Sequence, residues 1–323
     1  MNAYDYDVTA LGELLVDFTE SGSSAQGNPV LEANPGGAPC NVLAMLARLG
    51  RRTAFLGKVG NDAFGALLRG RAAAAGIDVS ALRTDDAVPT TLAFVHTQPD
   101  GERDFTFYRA PGADVMLRAD ELDREMLQRS RIFHFGTLSM TAEPARGATQ
   151  AAIACAKGSG CLLSFDPNLR LPLWASAVQA RGAMEYGLAQ CDILKISDDE
   201  LAFLTGETDA GKAVAQLRGR YPLPLVFVTM GRGGSRAYFR GNTVFAPAFL
   251  TPRTVDATGA GDTFLGCALH FVLQYGMDGL NDARLAELLR FANAAASLIT
   301  TRRGALSVMP TPEEIAALLR TRA

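Results

Sequence analysis

Apolar residues recur along this chain in two rhythms. Short continuous runs have the length and the β-branched or aromatic content of buried strands: "DVTALG" (7–12), "TAFLGKVG" (53–60), "RIFHFG" (131–136), "CLLSFD" (161–166), "CDILKIS" (191–197) and "PLVFVTMG" (224–231). Longer stretches with helical spacing lie between them. "APCNVLAMLARLG" (38–50) and "DAFGALLRGRAAAAG" (62–76) each stop at a glycine, and 142–157, 174–190 and 197–218 follow. The last third is mostly helical, over 260–276, 282–300 and 312–321. Such strand–helix alternation predicts an α/β fold whose mainly parallel central sheet is covered on both faces.

Two segments break the rhythm. Residues 13–34 and 90–109 read as strand pairs around polar turns, and "QPDGER" puts Asp100-Gly101 at a predicted hairpin tip. Strand pairs inserted into an α/β wrap form a small flap over the crevice at the strand C-termini. With no internal repeat, low-complexity tract or linker, the expectation is one domain over 1–323, with a β lid from about 13–34 and 90–109.

Composition narrows the function. A chain of 323 residues, 48% hydrophobic and 20% charged, can build a globular core. A net charge of −3 without a basic stripe argues against nucleic acid as a partner. Five scattered cysteines without a CxxC pair, and only three histidines, make a zinc site unexpected and fit a reducing cytoplasm. "MNAYDYDVTALGELL" has neither a basic n-region nor an apolar h-region, and no run approaches the roughly 20 apolar residues of a membrane span. A cytoplasmic protein without a membrane partner is expected.

The chemistry concentrates in a few stretches. In "DATGAGDTF" (256–264), small residues at Gly259, Ala260 and Gly261 let an anion approach backbone N–H groups at the start of a helix. Asp262 then falls in the first turn, placed to take a proton from a hydroxyl attacking a phosphoryl group. A simple helix cap would explain the acid but not the Gly-Ala-Gly approach. "NPGGAPCN" (34–41) is a second glycine turn opening a helix: Gly36 and Gly37 would bring bare backbone to a polyol, and Asn41 offers a donor and an acceptor. A plain turn explains it equally well. Asp17 in "GELLVDF" could accept two adjacent sugar hydroxyls, although an exposed strand position also accounts for it. Arg170 in "DPNLRLPLW" follows a strand end and suits phosphate oxygens. In "KISDDE", Lys195 could reach nucleotide phosphates and Glu200 a metal-bound water, while Ser197 and Glu200 also spell a capping box. Two look-alikes fail. "GETDAGKA" (206–213) has Walker spacing but ends in alanine and follows a helical pattern, and "MGRGGS" (230–235) lacks the GxGxxG spacing.

Together, "GGAPCNVLAMLARLG" with "GKVGNDAFG" (57–65) and "DATGAGDTF" resemble the two signatures of the ribokinase-like (PfkB) sugar kinases, over about residues 7–311. Within that family, "FTFYRAPGADVML" (105–117), "LLSFDPNLRLPLW" and "KISDDELAFLTG" are similar to fructokinases. The resemblance implies a three-layer α/β/α fold with a β lid and ATP-dependent phosphorylation of the 6-hydroxyl of D-fructose. It implies Asp262 as base, with the N–H groups of Gly259, Ala260 and Gly261 as an anion hole. The sugar would be held by Asp17, Gly36, Gly37 and Asn41 and by Phe107 and Arg109 from the lid, with Arg170 on the substrate or on the transferring phosphoryl group. Nucleotide would lie along Lys195 and Thr229, Gly231, Gly233 and Gly234, with Asn293 beside the adenine. Glu200 would support Mg²⁺ through water, with Ser197 where the family's Asn-x-x-Glu motif has Asn. Asp256, Thr258, Ile299, Arg302 and Gly304 would form an activating K⁺ site. Ribose, aminoimidazole riboside and 2-keto-3-deoxygluconate remain open as acceptors, since Arg109 could meet a carboxylate. A silent sugar-binding relative would carry a broken anion hole, and here it is intact. Apolar lid residues Leu92, Phe94, Phe105 and Phe107 could pair two subunits.

Overall fold

The computed structural model describes residues 4–97, 103–251 and 253–321, so the Asp100-Gly101 tip lies outside the described residues. The chain begins with β1 (Tyr6–Leu11), the pair β2 (Leu15–Ser23) and β3 (Pro29–Gly36), then α1 (Ala38–Arg48). β4 (Thr53–Gly60), α2 (Ala63–Ala74), β5 (Ile77–Asp78) and β6 (Leu82–Asp85) follow, then β7 (Leu92–Thr97) and β8 (Arg103–Tyr108). Next come α3 (Arg124–Gln128), β9 (Ser130–Phe135), α4 (Ala145–Gly158), β10 (Leu162–Phe165) and α5 (Ala177–Gln190). β11 (Ile193–Ser197), α6 (Asp198–Thr205), α7 (Ala210–Arg218), β12 (Leu225–Thr229), β13 (Ser235–Phe239) and β14 (Asn242–Ala246) precede α8 (Ala260–Gly279), α9 (Asp282–Ile299) and α10 (Pro312–Arg320).

The main sheet has the order β14-β13-β12-β11-β10-β9-β1-β4-β5, with β6 also on β4. It is parallel from β12 to β5 and antiparallel at the β12–β13–β14 edge. Its continuous apolar runs split by alternation between two cores. Ile132, Ile193, Leu225 and Phe227 face α1, α8 and α9. Phe133, Leu194, Val226 and Val228 face α4, α5, α6 and α7. These are the three layers that the pattern predicts.

A second sheet, β3-β2-β7-β8, forms the lid. Its register corrects the expected apolar patch. Asp17, Ala93 and Phe107 align on one face, whereas Leu92 and Phe94 alternate to the other. There Phe94 stacks on Phe18 at 5.0 Å and meets Tyr108 edge-on at 5.3 Å. The side chain of Phe105 lies outside the described residues. The helix expected over 197–218 is two helices. Gly206 ends α6 at φ +73 and Asp209 caps α7 through the Lys212 amide, so the Walker look-alike is a helix–helix turn. The start of the stretch expected from 174 is also later, because Ser176 caps α5.

Helices α1 and α8 begin side by side beneath the lid. A Cβ at Gly266 of α8 would lie 2.7 Å from Met45 Cβ and 3.0 Å from the Val42 carbonyl of α1. Gly266→Val therefore forces the helices apart. It is expected to cost about 1–3 kcal/mol, read as a lowered Tm, and to lower turnover as well.

Candidate active site

The strand order reverses at β1, which has β9 on one side and β4 on the other, and a crevice opens beyond the carboxyl ends there. Glu13 follows β1, Asp166 follows β10, and Ser197 and Thr229 end β11 and β12. Two adjoining cavities occupy this end. One, of about 400 Å³, is lined by Glu13, Asp17, Gly37, Asn41, Phe107, Arg170, Lys195, Glu200, Thr258, Gly259 and Asp262. The other, of about 350 Å³, is lined by Gly231, Gly234, Ala260, Phe264 and Asn293, with Phe249 and Leu250. Thr229, Ala257 and Gly261 wall both.

Asp262 lies in the first turn of α8, buried, and its Oδ2 accepts from Asn41 Nδ2 at 2.8 Å. The other amide atom, Asn41 Oδ1, is buried with no hydrogen-bond partner among the described residues. An acceptor left so costs about 1–3 kcal/mol, which a donating hydroxyl in the cavity would recover. Gly259 opens the helix at φ +77, and a Cβ there would meet that of Ala305 at 2.7 Å. Gly37, at φ +134, would drive a Cβ to 2.3 Å from the Glu13 carbonyl. Both turns thus require glycine.

Lys195 carries the positive charge. Its Nζ binds Asp166 at 2.9 and 3.2 Å, both groups buried, and would lie 2.9 Å from a Cβ at Gly261. Burial pulls its pKa down, but Asp166, Glu200 and Asp262 outweigh that and hold it above the ordinary lysine value. Burial pushes the Asp166 carboxyl up to about 7 despite the ion pair. Sequence reasoning passed over Asp166 in favour of Arg170. Its signal was its place directly after β10, next to Lys195 on β11, with Phe165 aligned to Leu194.

Glu200 is a full capping box and more. Oε2 accepts from Ser197 N–H and hydroxyl, and Oε1 accepts from Leu169 N–H at 2.7 Å. Burial opposes its charge, yet Lys195 and these amides hold its pKa below the ordinary glutamate value. No group of three His, Cys, Asp or Glu among the described residues could hold a metal.

Other expected residues land differently. Arg109 is nearly buried and engaged internally, on Asp114, on Thr141 Oγ1 at 3.0 Å and on the Leu138 carbonyl at 2.9 Å, and does not line the cavity. The Ala260 amide bonds the Ala257 carbonyl at 3.2 Å and Ala260 lines the second cavity, whereas Gly259 and Gly261 stand on the wall of the first. Gly36 stands behind the wall, where a Cβ would come 2.7 Å from Asp17 Oδ2. Gly233 closes a tight turn on Met230 instead of lining either cavity. Asn293 lines the second cavity but uses both amide atoms, accepting from Ser235 Oγ and donating to the Ala246 and Pro247 carbonyls. Asp256 is buried and accepts from Thr258 N–H, and the Thr300 carbonyl accepts the Val255 and Asp256 amides. Ile299 lies beside that contact, its carbonyl accepting the Arg302 amide. Gly304 turns at φ +79, while the Arg302 guanidinium reaches the Val308 carbonyl and Glu314.

Residues 6–312 match the pfkB family of carbohydrate kinases. The chain belongs to this family. The kinase is 41% identical over 318 residues to probable fructokinase-4 of Arabidopsis thaliana, covering 97% of this chain and 96% of that one. It is similar in structure to fructokinase from Xylella fastidiosa solved with bound ATP, at TM-score 0.89 and 31% identity, covering 98% and 99% of the two chains. A fructokinase double mutant of Vibrio cholerae O395, solved with fructose, ADP and potassium ion, aligns at TM-score 0.87 and 30% identity, covering 99% and 100%. The kinase is an ATP-dependent transferase acting on carbohydrate. Among its described residues no helix is long and apolar enough to cross a membrane.

Burial raises the Asp262 carboxyl above its ordinary value, with Asn41, Lys195 and Arg170 pulling it back. The native kinase thus binds this proton more tightly than the unfolded chain. That contribution to stability is present at acid pH and lost as pH rises through the native pKa. Asp262→Asn removes the buried charge, so its Tm is expected to exceed the wild type's at pH 8, with the gap closing toward about pH 4. A variant less stable than wild type at pH 8 would reverse this sign.

Proposed function

We propose that the kinase is a fructokinase, transferring the γ-phosphoryl group of ATP to the 6-hydroxyl of D-fructose. The observation that carries the reading is the position of Asp262: buried, held by Asn41, and beside Gly261, which walls both cavities. The larger cavity is the acceptor site and the second the nucleotide site. Asp262 takes the proton of the acceptor hydroxyl as its oxygen bonds to the γ-phosphorus and the bond to the ADP oxygen breaks. The amides at Gly259 and Gly261, with Lys195, stabilise the charge on the transferring group. Arg170, which lines the acceptor cavity and lowers the Asp262 pKa, stands on the same side.

The acceptor wall supports an uncharged sugar. It presents Asp17, Glu13 and the unpaired Asn41 Oδ1, while Arg109, which could have met a keto acid from the lid, is engaged on Asp114, Lys195 on Asp166, and Arg170 acts on Asp262. Mg²⁺, when bound with the nucleotide, neutralises phosphate charge. No three carboxylates among the described residues are grouped closely enough to hold a metal directly, so Glu200 would meet it through water. The contact of the Asp256–Thr258 segment with Thr300 and the segment after it fits a K⁺ that stiffens the Gly259 turn, with Ile299, Arg302 and Gly304 supplying carbonyl oxygens.

Coupled ADP release over fructose, ribose, glucose, aminoimidazole riboside and 2-keto-3-deoxygluconate tests the acceptor. Fructose is expected to give the highest kcat/KM, and a larger value for any other sugar replaces this reading. Asp262→Asn is expected to lower kcat by about 10²–10⁴-fold. K⁺ is expected to raise turnover over Na⁺, and a flat response across cations removes the proposed cation site.

A further inference from the structure

Glu13 is one of four carboxylates on the acceptor cavity, with Asp17, Glu200 and Asp262. It follows β1 directly and is only 3% exposed. Oε1 accepts the N–H of Ala38 at 2.8 Å, at the start of α1, where Gly37 has no side chain to serve as a cap. That bond uses one oxygen. Beyond its own amide and that of Ala38, no hydrogen bond reaches the carboxylate from the described residues, and the side chain lines the cavity. A cap needs only one acceptor atom, and shorter polar side chains supply it without burying a second oxygen. Burial pushes the Glu13 carboxyl up to about 7, with the charge left partly unanswered, since Arg109 acts on it only at a distance and is itself bound to Asp114. Buried polar atoms ordinarily find partners, and one that faces a cavity finds its partner in the occupant.

We infer that Glu13 is a specificity-determining residue, accepting a hydroxyl of the acceptor through Oε2 and, together with Asp17, turning away acceptors that carry a carboxylate. The inference rests on the reading of this cavity as the acceptor site. A site built to accept from a hydroxyl discriminates strongly, because a wrong ligand leaves its buried acceptor unpaired or sets two anions face to face.

The test uses the full-length kinase and Glu13→Gln, which keeps an oxygen for the Ala38 amide and removes the charge. KM for fructose is expected to rise about tenfold, the loss of one hydrogen bond to a charged group. KM for ATP and kcat are expected to move far less than KM for fructose, and Tm at pH 8 is expected not to fall, since a buried charge is removed. The ratio of kcat/KM for fructose over 2-keto-3-deoxygluconate is expected to fall by about the same factor. Glu13→Asp, which keeps the charge but draws it back by one methylene, is expected to raise KM for fructose in the same way and serves if the glutamine variant does not fold. An unmoved KM and ratio overturn the inference, leaving Glu13 as a cap of α1. So does a joint fall of Tm, kcat and both KM-derived affinities. A wild-type kinase inert toward every neutral sugar overturns the acceptor reading and this inference together. Normal wild-type turnover with an unmoved variant overturns this inference alone.

Discussion

The contact between α1 and α8 sets the rest of the site. Met45 and Gly266 meet one helical turn beyond Asn41 and Asp262, four residues along each helix, or about 6 Å of rise. Protein interiors resist compression, so the spacing allowed at Gly266 fixes where the two side chains at the helix starts can stand. The Asp262 carboxylate is thereby positioned by an apolar contact outside the cavity. The same helices cover one face of the sheet, and the packing that stabilises the fold is also what aims the site.

A second constraint is electrical. Asp166 after β10, Lys195 on β11, Glu200 in α6 and Asp262 in α8 lie buried within one another's reach. Such burial is costly unless each charge is met by another or by N–H donors. Lys195 answers three carboxylates, and Glu200 is met by the Ser197 and Leu169 amides as well. The Leu169 bond also ties the loop after β10 to the start of α6, directly before Arg170. The charges therefore order the strand ends as much as they prepare the cavity for phosphate.

Local pattern carried much of this. The apolar runs revealed the parallel sheet because both of its faces are buried, and "DATGAGDTF" revealed the helix start because the required glycines are adjacent in sequence. Contacts between distant segments were less visible. Asp166 acquires its meaning from Lys195 across a strand pairing, and Glu13 from a helix that begins 25 residues later. The pairing of Arg109 with Asp114, five residues on, depends on how the chain turns back after β8, which local pattern does not specify. The break between α6 and α7 was legible in Gly206 and Asp209, but the flanking helical spacing overrode it.

The wall shared by the two cavities consists of Thr229, Ala257 and Gly261, and at Gly261 it has no side chain. So thin a partition means that the two compartments are neighbours on the scale of a single covalent linkage. A molecule joining a nucleotide to a polyol through a short phosphate chain could occupy both at once. Its second half would then bind at the high effective concentration set by the tether rather than at its concentration in solution. The wall at Gly261 thus makes both cavities addressable by a single bridging ligand.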